Sequence, residues 1–600
     1  MSVQKYAVNQ HLIETLLTWV KSGEIAIPEI QRPFVWDATQ VRDLLDSLYQ
    51  GFPVGYIIVW KNPDVKLKDG SLSAGKKVLI DGQQRITALS AALVGQSVVT
   101  KEYKTTRIQI AFNPITESFE VSNPAIRQDV TWIADIAPVM DGQIGLLKLI
   151  RQYKESNPDA DEDRLENVFT QLIGITKKQI GLIELGADLD IETVTEIFIR
   201  INREGQQLSQ ADFAMSKIAA NESYGGNTLR KAIDYFCHLA VAPEFFNHIK
   251  ENDTDFAGTG YFRAMSWLRD ENDDLYDPSY SDMLRVAFTS RFSRGRFADL
   301  VALLSGRNFE TRTFEDEIAA DAFARLEAGV MDFINETHFK RFVMIIKSAG
   351  FVVSRLVPSQ APLNFAYVLF LKLRAESYRP EDIERYVRRW FVMSLLTGRY
   401  SSSMESQFDR DIGEIDARGC GDYLKTIEDA EIAGDAFWGA RMPQNLTTSN
   451  SRNPAFLTFL AALARDGTPG FLSEAIGVRE LLEHRGDLHH IFPRDYLKKQ
   501  LRLTQARYNQ VANYVYTQQE TNIAIGNKPP AVYMADVVRQ CETGRTVYGG
   551  ITSLDALRRN LAQNAVPEVL LEPDVGDYDA FLDARRELMA RRIRDYYFSL

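Results

Sequence analysis

Apolar residues recur at helical spacing over residues 9–22, where Leu12, Leu16, Leu17 and Val20 share one side, and this predicts an amphipathic helix. The segment Ile27-Pro28-Glu29-Ile30-Gln31-Arg32-Pro33-Phe34-Val35-Trp36 follows, and its two prolines make it extended and constrained. Asp37 then caps a helix over residues 39–49. β-Branched and aromatic content predicts a strand over residues 54–60, with Val78-Leu79-Ile80 as a second short strand. That strand runs into Asp81-Gly82-Gln83-Gln84-Arg85, and a helix begins near Thr87. Residues 107–113 alternate as a strand, so the opening 125 residues read as a small α/β unit.

From residue 131 to 185 the pattern turns helical. Ser209 reads as the N-cap of a helix starting near Gln210, and residues 210–430 are almost wholly helical in period. Residues 442–454 are polar and flanked by prolines, which marks a linker. The fold class is therefore α+β and mostly helical, divided as 1–205, 206–440 and 441–600. The run Gly70-Ser71-Leu72-Ser73-Ala74-Gly75-Lys76-Lys77 has P-loop spacing, but Lys77 stands where a Ser or Thr would ligate magnesium. A strand follows instead of a helix, so it reads as a hairpin-type loop.

A chain of 600 residues is too long for one core and implies three or more structural units. Its 45% hydrophobic and 25% charged content is that of an ordinary globular protein. No apolar run is long enough to span a bilayer and the N-terminus has no signal-peptide pattern, so no membrane partner and a cytoplasmic location are expected. Cys237, Cys420 and Cys541 are far apart, which suggests neither a zinc ribbon nor a disulfide framework. A net charge of −12 argues against a general DNA-coating surface but leaves room for a local basic groove. The Arg-rich stretches around Arg388-Arg389 and from Arg585-Arg586 to Arg594 suit either such a groove or a solvated helix face.

Two constellations carry candidate chemistry. Among seven histidines, His489 and His490 are adjacent in Leu488-His489-His490-Ile491-Phe492-Pro493, followed by Asn513 and then Asn522. One imidazole can deprotonate a water while the other, with a later amide oxygen, holds a divalent metal against a phosphate. On a strand the two imidazoles point to opposite faces, so a core residue beside a surface residue is the competing reading. In the first unit, strand, Asp81-Gly82 turn, Gln83, Gln84, Arg85 and helix form the pattern of an anion cradle, to which Gln31 and Arg32 add a second amide and guanidinium. An ordinary Asp-Gly turn with Arg85 in a structural ion pair fits the same residues.

These motifs, in this order, resemble the GmrSD-type modification-dependent (type IV) restriction endonucleases. Ile27-Pro28 to Trp36, Asp81-Gly82-Gln83-Gln84-Arg85 and the run from Ile197-Phe198 through Asn202, Gly205 and Ser209 to Asp212 are similar to the family's N-terminal domain. His489-His490-Ile491-Phe492-Pro493, Asn513 and Asn522 to Pro530 resemble its C-terminal His-Asn-His (HNH) nuclease domain, and Arg399-Tyr400-Ser401-Ser402-Ser403 resembles a stretch of its single-chain members, among them BrxU and SspE. The resemblance implies a ParB/sulfiredoxin-like N-terminal domain in which Gln31, Arg32, Asp81, Gly82, Gln83, Gln84 and Arg85 bind an NTP, with NTPase activity. It implies a ββα-metal site in which His490 is the general base, His489 and Asn522 are metal ligands, Asn513 braces the loop and Lys528 faces the phosphate. An N,O ligand set with open water positions suits Mg²⁺ or Mn²⁺. The implied partners are double-stranded DNA, modified phage DNA above all, an NTP and a second copy of the chain. The competing functions are an NTP-switched DNA-binding or signalling protein with a weak nuclease, and a toxin-like nuclease blind to modification.

Overall fold

The computed structural model describes residues 5–22, 24–26, 36–61, 77–99, 105–186, 189, 197, 210–270, 275–311, 313, 315–484, 486–572 and 577–600. Gln31, Arg32, the 70–76 loop and the 202–209 motif lie outside them. The strands in chain order are β1 (Tyr6–Leu12), β2 (Ile25–Ala26), β3 (Tyr56–Lys61), β4 (Lys77–Asp81), β5 (Val98–Val99), β6 (Thr105–Thr106), β7 (Ile110–Asn113), β8 (Ser118–Val121), β9 (Gln179–Leu185), β10 (Asp487–His490) and β11 (Tyr514–Thr517). All other regular structure among the described residues is helical, and the chain divides into two compact units, Met1–Arg263 and Ala264–Leu600.

In the first unit a mixed five-stranded sheet runs in the order β1-β9-β3-β4-β2. β9 is antiparallel to β1 and parallel to β3, β4 is antiparallel to β3, and β2 is parallel to β4. Strand alternation divides the side chains. Ile57, Val59, Ile180 and Leu182 enter a core with Leu16, Leu45, Leu48, Ile86 and Leu89 of the covering helices. Ile58, Trp60 and Leu185 point the other way and pack with Leu189. The helix Ala38–Gln50 starts as the sequence predicts: the Asp37 carboxylate accepts from the Gln40 amide at 2.8 Å, and the Gln40 side chain accepts from the Asp37 amide at 3.0 Å.

Three expectations need correction here. The segment read as one helix over residues 9–22 is strand β1 followed by the helix Ile13–Ser22. The tail of the stretch read as helical to residue 185 is β9, the inner strand that pairs with both β1 and β3. Neither strand has a local partner, and the hydrogen bonds that make them strands join segments more than 120 residues apart. The helix placed near Thr87 begins at Gln83, directly after Gly82.

The second unit is built on long helices. Gln360–Ala375 is buried on every side from Ala361 to Leu373 and packs beside Tyr280–Phe292 and Pro380–Thr397. The Arg399-Tyr400 motif belongs to this core. Asp411 is 0% exposed and its carboxylate accepts from Arg399 through Nε at 2.8 Å and Nη2 at 2.5 Å. It also accepts from the Tyr400 hydroxyl at 2.9 Å, the Tyr423 hydroxyl at 3.0 Å and the Gln407 amide at 2.8 Å. Trp390 closes the network by donating to the Tyr400 oxygen at 2.9 Å. In the 442–454 stretch, expected as a linker, the helix Met442–Asn445 anchors the first part, with Met442 and Leu446 fully buried, and residues 449–452 are exposed. Arg585 departs from the solvated-face reading, since it too is 0% exposed, while Arg591 and Arg594 of the same helix are exposed as that reading expects.

Removing the buried carboxylate leaves a guanidinium and three donors without their shared acceptor. Asp411→Ala is expected to lower the unfolding free energy of the second unit by about 3–5 kcal/mol. Urea denaturation followed by tryptophan fluorescence measures it, and a loss below 1 kcal/mol would remove the network's structural role.

Candidate functional site

β10 and β11 pair antiparallel, with His489 opposite Val515 and His490 opposite Tyr514, and the helix Gln519–Ile525 follows β11 after one residue. This hairpin and helix gather His489, His490, Asn513 and Asn522. The His489 imidazole is 3% exposed, lies parallel to the Phe471 ring and donates from Nδ1 to Asn522 Oδ1 at 2.6 Å. The Asn522 amide nitrogen donates in turn to Asp487 Oδ2 at 3.0 Å, which aims the amide oxygen at His489. Asp487 and His489 are two residues apart on one strand and therefore share a face.

His490 faces the other way. Its Nε2 donates to Asn509 Oδ1 at 3.1 Å and its ring meets Tyr514 edge-on at 4.8 Å. With Nε2 so engaged, Nδ1 carries the lone pair. Burial lowers the pKa of both imidazoles: His489 falls to about 4, and His490 is lowered by burial with help from the Arg494 charge, against an opposing hydrogen bond to Asn509. Both rings are thus neutral near pH 7, the form that binds a metal or accepts a proton.

Asn513 is 0% exposed and supports the chain just after the histidines. Its Oδ1 accepts from the Phe492 amide at 2.8 Å, its Nδ2 donates to the Phe492 carbonyl at 3.0 Å, and its own carbonyl accepts from the Ile491 amide at 2.9 Å. Three residues that carry no role at this site in the sequence reading complete the frame. Arg585 donates to the carbonyls of Ala512 and Tyr514, both at 2.7 Å. Tyr533 donates to the Ile491 carbonyl at 2.9 Å, and Asn509 holds His490. Asp487 was legible from its two-residue spacing to His489; the other three have no local signal. Lys528 stands apart from the histidines, donating to the Ala524 carbonyl at 3.3 Å and to the Tyr548 hydroxyl at the carbonyl end of the site helix.

Among the described residues no three His, Cys, Asp or Glu side chains gather as a metal-binding group. A saturated structural centre is therefore not formed there. His489 Nδ1 and Asn522 Oδ1 lie side by side as a neutral N,O pair joined by the Nδ1 proton. A hard divalent cation held by both would replace that proton, which would move to Nε2, a buried nitrogen without a hydrogen-bond partner among the described residues.

In the first unit, β4 ends at Asp81 and the helix Gln83–Leu89 starts after Gly82. Gly82 sits at φ +93°, where a Cβ would stand 3.0 Å from the Ile57 side chain and 3.2 Å from its Cα, so only glycine lets the turn press against β3. Arg85 reaches back along Gly55 and donates from Nη1 to the Tyr56 carbonyl at 2.6 Å, a backbone contact and not the ion pair that was the alternative.

Residues 13–219 match the family model described as GmrSD restriction endonuclease, N-terminal domain. The GmrSD-type match covers about a third of the chain, takes in β2–β4, β9 and the Asp81–Arg85 turn, and supports a restriction endonuclease that acts on DNA. The histidine site lies beyond it. Similarity continues over the whole chain in a second comparison: an uncharacterized protein of Methanocaldococcus jannaschii, MJ0686, is 21% identical over an alignment covering 97% of this chain and 98% of the relative. Among the described residues no helix is long and apolar enough to cross a membrane.

The lowered pKa of His489 has a thermodynamic consequence. The unfolded chain takes up this proton near pH 6.5 and the folded chain only near pH 4, so stability is full above 6.5 and falls as pH drops toward 4. This one group contributes a slope of up to about 1.4 kcal/mol per pH unit in that window. Denaturation of metal-free protein in EDTA at a series of pH values checks it; His489→Gln is expected to flatten the slope between pH 6.5 and 4.

Proposed function

We propose that this protein is a metal-dependent DNA endonuclease of the HNH type, directed against modified foreign DNA in anti-phage defence and regulated by an NTP held in its first unit. The observation that carries the nuclease reading is the placement of His489 Nδ1 against Asn522 Oδ1 across a strand and a helix, a pair that would become metal ligands once the shared proton moves to Nε2, with His490 beside it at the end of the strand. The GmrSD-type match in the first unit supports the restriction context.

His489 and Asn522 would hold Mg²⁺ or Mn²⁺, and Asp487 would keep the Asn522 oxygen turned toward it. When bound, the cation polarises the scissile phosphate and stabilises charge on the leaving 3′ oxygen. The chain supplies the rest. His490, neutral near pH 7 and fixed through Nε2 by Asn509, takes a proton at Nδ1 from a water that attacks phosphorus. The P–O3′ bond breaks and a 5′-phosphate is left. Asn513 holds the Phe492 backbone so that the imidazole keeps its aim. Lys528 steadies the end of the site helix; contact with the phosphate would require it to leave Tyr548.

In the first unit Gly82, Gln83, Gln84 and Arg85, with Asp81, Gln31 and Arg32, form the NTP cradle of a ParB-like domain in this reading. Support for it is the tight glycine turn that brings a helix start against β3. A second copy of the chain would supply the second cut of a double-strand break.

A cleavage panel tests the proposal: unmodified, hydroxymethylated, glucosylated and phosphorothioated DNA, with Mg²⁺ or Mn²⁺, with and without each NTP. Cutting confined to modified DNA, and slowed by about 10²–10⁴-fold or more in a folded His490→Ala variant, is the expected outcome. Unchanged cutting by that variant would remove His490 as base. Equal cutting of every DNA would keep the nuclease and discard the sensing.

A further inference from the structure

The chain carries a net charge of −12, yet residues 494–507 hold five basic residues and one acidic residue. This segment lies between the two partners of the His490–Asn509 hydrogen bond, so it is tied to the site at both ends. Arg494 opens the helix Arg494–Lys499 four residues after His490, and Lys498 stands one turn further along the same face. Arg502 follows three residues after that helix at φ +52°, in the left-handed region that non-glycine residues rarely occupy.

The five cations differ in what they touch. Lys499 pairs with Asp495 at 2.8 Å, and Arg507 pairs with Asp579 of the C-terminal helix at 2.6 Å. Arg494 lies 3.8 Å from Asp495, which Lys499 already engages, and its side chain is 64% exposed. Lys498 and Arg502 are exposed and have no carboxylate within ion-pair distance among the described residues, although the Lys498 charge is felt at Asp495. Three of the five positive charges thus face solvent with little or no internal neutralisation, in a chain whose overall charge would repel a polyanion.

We infer that Arg494, Lys498 and Arg502 form a landing track for the sugar–phosphate backbone of duplex DNA on the His490 side of the hairpin. The inference rests on the nuclease reading for its choice of partner: a phosphodiester presented to His490 brings neighbouring phosphates with it, and exposed cations beside the base are where they would fall. Contacts of this kind add affinity without sequence preference and release counterions, so they leave a signature in the salt dependence of binding.

The test uses the full chain in EDTA and a fluorescent duplex of about 30 base pairs, with anisotropy read across a salt series. Arg494→Gln, Lys498→Gln and Arg502→Gln are combined, with each single variant alongside and thermal melts to verify folding. The expected result is a Kd raised at least about tenfold at 0.1 M salt and a log Kd against log salt slope reduced by about 2–3, near 0.9 per lost contact. Each single variant should lose about a third of that slope. An unchanged slope in the folded triple variant would overturn the track, as would failure of the unaltered protein to bind the duplex at 50 mM salt, or tighter binding to an acidic polypeptide than to DNA. Cleavage assays in Mg²⁺ separate this from the nuclease reading. A lowered slope with no cutting by the unaltered protein supports the track and sinks the nuclease. Normal cutting by the triple variant with an unchanged slope does the reverse.

Discussion

The candidate site depends on how the backbone on either side of the β10–β11 hairpin is held. The chain leaves β10 at His490 and enters β11 at Tyr514, and the stretches next to the two strands, residues 491–493 and 511–513, are buried, so their backbone polar groups must find partners. Asn513 takes both the amide and the carbonyl of Phe492. Arg585 takes the carbonyls of Ala512 and Tyr514, and Tyr533 takes that of Ile491. Arg585 is unusual in that carbonyl dipoles solvate its buried guanidinium; the desolvation lowers its pKa to about 9, which still leaves it charged near neutrality. A buried charge satisfied only by backbone has few alternative positions, so the C-terminal helix Tyr578–Phe598 locks the frame beneath the histidines.

That frame gives two adjacent imidazoles different tasks. Strand alternation sends them to opposite faces, and each then meets an amide oxygen: Asn522 for His489 and Asn509 for His490. An amide oxygen can only accept, so each contact sets which ring nitrogen carries the proton. Burial keeps both rings uncharged near neutral pH. Asp487 extends the chain of orientation one step outward by fixing the Asn522 amide.

The first unit uses the same principle of crowding in another form. Its sheet is knitted from segments far apart in sequence, and the Asp81–Arg85 turn is pressed against β3 closely enough that Gly82 admits no side chain. Arg85 commits one guanidinium nitrogen to the Tyr56 carbonyl and so ties the helix start to the strand it faces. In the second unit the Arg399-Tyr400 motif proved to be a core device: a buried carboxylate shared by a guanidinium, two phenols and an amide, far better satisfied than an isolated ion pair.

What the sequence determined by itself is the chemistry that local pattern encodes. The α+β, mostly helical character was legible in its periodicities, as were the Asp37 cap, strands β3 and β4, and the long helices after residue 210. The contact of His489 with Asn522 joins two residues that the sequence had singled out together, whereas the contact of His490 with Asn509 was not legible. What only the tertiary structure decided is everything that depends on a distant partner. β1 and β9 are strands because they pair with each other across more than 160 residues, and no window of local sequence contains that hydrogen bonding. Arg585 read as a solvated helix residue because its carbonyl partners lie about 70 residues upstream. Asn509 and Tyr533 had no pattern to mark them, since an amide or a phenol becomes a positioning group only when folding brings an imidazole or an orphan carbonyl within hydrogen-bond reach.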